Sequence, residues 1–70
     1  MPRLNPTVEQ AFAAVRVCQL LSNYSRNIYL FRYDDTREII YVIAGTEVDP
    51  EQIQIEIYTS GLWRSINNET

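Results

Sequence analysis

The sequence predicts an α+β fold in which one N-terminal helix packs on a four-stranded antiparallel meander, in the order αββββ. Three observations carry that expectation. Thr7 and Gln10 have the spacing of a capping box, which starts a helix. Runs rich in Ile, Val, Tyr and Phe follow it, as β-strands require. The links between those runs are shorter than the dozen or so residues that a parallel return needs, so neighbouring strands are antiparallel.

The helix is predicted over residues 7–22, with Pro6 before the cap and Glu9 in the first turn, where the helix dipole favours a negative charge. Asn23, Ser25 and Asn27 form a polar exit. At helical spacing Val8, Ala11, Val15, Cys18 and Ser22 share one side, flanked by Phe12 and Ala14, and this is the expected core face. A second apolar row, Ala13, Val17, Leu20 and Tyr24, lies roughly opposite, leaving a narrow polar stripe of Glu9, Arg16 and Asn23. Such a helix carries more apolar surface than one packed face uses.

The strands are predicted over residues 27–33, 38–44, 52–58 and 62–66. Asp34-Asp35-Thr36-Arg37 and the segment from Gly45 to Glu51 supply the first two turns. In the third strand Ile53, Ile55 and Ile57 alternate with Gln52, Gln54 and Glu56, which predicts one wet side. A three-residue turn, Thr59-Ser60-Gly61, with Gly61 left-handed, pairs Ile57 with Trp63 and puts Trp63 on the isoleucine side. A two-residue Ser60-Gly61 loop would put it on the other, so the sequence leaves this register open.

The first two strands do not alternate. Tyr29, Phe31 and Tyr33 oppose Ile28, Leu30 and Arg32, while Ile39, Tyr41 and Ile43 oppose Ile40, Val42 and Ala44. Both sides need cover, yet four strands span about 19 Å and a helix with its side chains only about 10 to 12 Å. The expectation is self-association, most simply a two-fold dimer, through the aromatic side of these strands, with Tyr29, Phe31, Tyr33 and Tyr41 as interface candidates. Another small protein is the other partner considered, and the tail from Asn67 to Thr70 is a competing cover.

Length and composition bound the rest. Seventy residues, 46% of them hydrophobic, make one thin-cored domain over residues 1–70. One cysteine excludes an intrachain disulfide and favours a reducing compartment. Met1 to Asn5 lacks a run of positive charge, Arg16 and Gln19 break the apolar stretch from Ala11 to Leu21, and no run reaches about 20 apolar residues. Neither a signal peptide nor a membrane span is therefore expected, and a cytoplasmic setting is the expectation. With net charge -3 and no lysine, nucleic-acid binding is disfavoured, although a local arginine patch would escape a whole-chain balance.

The absence of histidine removes the usual general base and every Ser-His or Cys-His pair. No catalytic residue, metal site or cofactor is assigned, and Cys18 is read as a small core hydrophobe. Asp34, Asp35 and Asp49-Pro50 are read as turn formers. Two functional readings result. The first is a non-enzymatic, self-associating interaction module. The alternative is a small RNA-cleaving toxin or its partner, with Arg32, Arg64 and the strand tyrosines contacting RNA. The plain reading of those arginines is pairing of Arg32 and Arg64 with Glu56 or Glu38, with Arg26 a loop charge. A ligand pocket between helix and sheet would need a cavity that so thin a core can hardly spare.

The runs Ile28-Tyr29-Leu30-Phe31-Arg32-Tyr33 and Ile40-Tyr41-Val42-Ile43-Ala44-Gly45, followed by Glu56-Ile57-Tyr58, Gly61 and Trp63-Arg64, resemble a family of small uncharacterised cyanobacterial proteins. Together with the Pro6-Thr7 helix start, the likeness covers most of the chain. It implies a source and no activity.

Overall fold

The computed structural model describes residues 5–66. One helix, α1 (Val8–Asn23), precedes four strands, β1 (Asn27–Asp34), β2 (Ile39–Gly45), β3 (Ile53–Ile57) and β4 (Trp63–Ser65). They form one antiparallel sheet in the order β1-β2-β3-β4, so the expected architecture is the observed one. The expected fold-back of Asn67 to Thr70 lies outside the described residues.

Thr7 caps the helix as its sequence indicates. Its Oγ1 accepts from the Gln10 amide at 3.0 Å, and the Gln10 Oε1 accepts from the Thr7 amide at 3.0 Å. The final hairpin also has its three-residue turn: Gly61 takes φ +90°, the Tyr58 amide donates to the Leu62 carbonyl, and Ile57 stands opposite Trp63. A side chain at Gly61 would meet the Glu9 backbone carbonyl at 3.2 Å, so the turn lies directly against the first helical turn. Thr7 Oγ1 donates to the Thr59 carbonyl at 2.7 Å across the same junction.

The helix is rotated from its expected orientation. Gln10, Ala13, Ala14, Val17 and Leu21 are the buried positions, whereas Val8, Phe12 and Val15 of the expected core face are 68%, 69% and 65% exposed. Ala11 and Ser22 are exposed as well, and Cys18 is half-buried. Gln10 explains the turn of the helix. Its Nε2 donates to the Glu38 carbonyl at 2.9 Å and the Ile57 carbonyl at 3.0 Å, anchoring the first turn over the ends of β2 and β3. The alanines then allow close approach, and Ala13, Ala14, Val17 and Leu21 meet Ile40, Val42, Ala44, Ile55 and Ile57.

Register divides the sheet into two faces. Rows Tyr33–Ile40–Ile57–Trp63 and Phe31–Val42–Ile55–Ser65 belong to the helix side. Rows Arg32–Tyr41–Glu56–Arg64 and Leu30–Ile43–Gln54 alternate with them on the other side. A bulge falls between Ile28 and Leu30, at Tyr29. Glu38, expected to open the second strand, has φ +58° and belongs to the preceding turn.

Candidate functional site

The four expected interface aromatics do not share a surface. Phe31 and Tyr33 lie in helix-side rows, Tyr41 lies in the opposite face, and Tyr29 sits at the bulge. The helix-free side of β1 and β2 is also better covered than their composition suggests, since Ile39 is buried and Leu30 and Ile43 are half-buried. Exposed apolar surface is concentrated instead on the outer side of α1 and along β1, where Phe31 is 50% exposed.

Two apolar grooves flank the helix among the described residues, as the widths of helix and sheet lead one to expect. On the β1 side, Pro6, Ala11, Ala14, Val15, Cys18, Gln19, Phe31 and Ile40 line an open, largely apolar groove of about 700 Å³. Desolvation in this setting raises the Cys18 thiol above its ordinary pKa of 9.0, so it stays protonated and poorly nucleophilic at neutral pH. On the β4 side, Val17, Leu20, Leu21, Tyr24, Ile53, Ile55 and Trp63 line a smaller apolar groove of about 270 Å³ with Arg26 in its wall. Sequence patterning missed both, because each joins residues from the helix to residues far along the chain.

Arg26 is more than a loop charge. Its Nε donates to Gln52 Oε1 at 3.0 Å and its Nη1 to the Tyr24 carbonyl at 2.8 Å, at the helix exit. Two guanidinium nitrogens are thus held, and the third, Nη2, has no protein partner among the described residues.

The opposite face carries the charged row. Glu56 is buried, which corrects the expectation of a wet side on the third strand. Its Oε2 lies 3.2 Å from Arg37 Nη2, its Oε1 lies 3.8 Å from Arg64 Nη2, and Tyr58 Oη donates to Oε1 at 2.8 Å. Tyr41 Oη donates to Gln54 Oε1 at 3.0 Å. Arg64 therefore has its expected partner. Arg32 pairs with neither Glu56 nor Glu38, and Arg37, which the sequence did not single out, takes the closer position on Glu56. Asp34 forms its turn by accepting from the amides of Thr36 at 3.0 Å and Arg37 at 3.2 Å. At Asp49 the backbone carbonyl does that work, accepting from Thr46 and Gln52. In this row Glu56 is ion-paired to Arg37 and Arg64, and Asp34 lines the same depression as Arg32 and Arg37.

These elements define a small α+β domain with two apolar grooves on one face and a charge lattice on the other. By family, the chain belongs to the domain of unknown function DUF6888, whose model matches residues 5–64. No curated protein and no solved structure matches it. No helix among the described residues is long and apolar enough to cross a membrane.

Proposed function

We propose that this protein is a non-enzymatic interaction module that self-associates through the rim of β1 and the groove beside it. The observation that supports this is the adjacency of a long edge strand to an open apolar groove. β1 pairs only with β2 among the described residues, most of its positions are exposed, and Phe31 forms part of the groove. An edge strand is a template for another strand, and it fits its own copy antiparallel about a two-fold axis.

The dimensions suit a second copy. A strand of eight residues presents a rim of about 27 Å, and a helix layer over a sheet is about 20 Å deep. That is roughly 500 Å² per copy and 1,000 Å² in total, the lower limit for a specific interface. Tyr29 and Phe31 belong to this surface, whereas Tyr41 faces away from it. A cyanobacterial cytoplasm is the setting we assign, supported by the family resemblance and the lone cysteine.

Sedimentation equilibrium at micromolar concentration tests the proposal. The expected mass is twice 8.2 kDa, falling to 8.2 kDa for Phe31→Glu with far-UV circular dichroism unchanged. A wild-type monomer overturns it, including one that gains mass only when a different protein is added.

A further inference from the structure

The groove on the β4 side combines three properties that the β1 groove lacks together: small size, an aromatic wall and a fixed cation. We infer that it is a binding site for a small apolar monocarboxylate, such as a medium-chain fatty acid, whose carboxylate meets Arg26 and whose chain lies against Trp63, Leu20 and Ile53. The inference is independent of self-association, because this groove lies on the other side of the helix from β1.

Size selects the ligand first. A groove of about 270 Å³ is small, which favours a ligand on the scale of a medium-length chain over a bulky ring system. The lining selects its body: Val17, Leu21, Ile53 and Ile55 are aliphatic, and Trp63 is 44% exposed, so an apolar chain would remove further surface from water.

Charge selects its head. Arg26 is half-buried and held at Nε by Gln52 and at Nη1 by Tyr24, so its guanidinium is positioned before any ligand arrives. No carboxylate among the described residues lies within ion-pairing distance of it, whereas Arg37 and Arg64 are committed to Glu56. A cation fixed beside apolar walls, with one nitrogen unfilled, matches an anion carried on a hydrocarbon chain.

Trp63 is the only tryptophan, so its fluorescence reports this groove directly. Titration with sodium octanoate is expected to shift the emission to the blue and to saturate with a dissociation constant below about 1 mM. Arg26→Ala should weaken octanoate at least about tenfold and leave the weaker response to octanol unchanged, since only the charge-assisted bond is lost. Because Arg26 also binds the helix exit, Leu20→Glu provides a second variant, which sets a carboxylate at the mouth and should abolish the octanoate response in a protein with wild-type circular dichroism. The inference fails if octanoate leaves the emission unchanged up to about 10 mM, ten times that bound. It fails equally if octanol matches octanoate, or if folded Arg26→Ala or Leu20→Glu binds octanoate as the wild type does.

Discussion

The two faces of the sheet are built on different principles. Toward the helix, Ile57, Val42 and Ala44 are sealed under Ala13, Ala14 and Val17, and stability there comes from apolar area and fit. Away from it, Glu56 is buried as well, yet the partners its carboxylate meets among the described residues are two exposed arginine side chains and a phenol. Buried position alone therefore does not measure what a residue contributes. A methyl group lost under the helix leaves a void, whereas a guanidinium released on the open face returns to water.

Substitutions sharpen this contrast in descending order. Ile57→Ala should cost about 2 to 5 kcal/mol, enough to unfold much of so small a domain, read as a lower urea midpoint. Gln10→Ala tests the buried polar side chain on the packed face of the helix. It strips the Glu38 and Ile57 carbonyls of a donor and should cost about 1 to 3 kcal/mol, with a loss of helical signal before the sheet signal. Glu56→Gln keeps an acceptor for Tyr58 and frees both arginines, so its effect should be under about 1 kcal/mol. If Glu56→Gln proved as damaging as Ile57→Ala, the open face would be a second core and the contrast would fail.

The parts legible in the sequence are those fixed by near neighbours. Thr7 and Gln10 are three residues apart, and the turn around Gly61 spans three, so cap and hairpin follow from local spacing, while the side of Trp63 depends on a choice between two loop lengths that spacing leaves open. The strands could be placed within about two residues for the same reason. Helix rotation could not. Apolar counting favours Val8, Phe12 and Val15, but the winning face is set by a glutamine bonding to carbonyls 28 and 47 residues away, and by alanines whose value is that they are small. The Arg37 to Glu56 pair was hidden similarly, because a turn at the end of β1 swings a loop residue over a strand two positions away in the sheet.

The bond from Thr7 to Thr59 has a consequence for synthesis. Helix entry and final hairpin are joined across 52 residues, so the chain is closed like a belt whose buckle is made last. While the ribosome still holds Thr59, the helix has neither the Ile57 carbonyl for Gln10 nor the last turn to rest against, although Ile40, Val42 and Ala44 already offer it a seat. A chain lacking the last hairpin would keep the helix's contacts with Ile40, Val42 and Ala44 but lose the clasp at its entry.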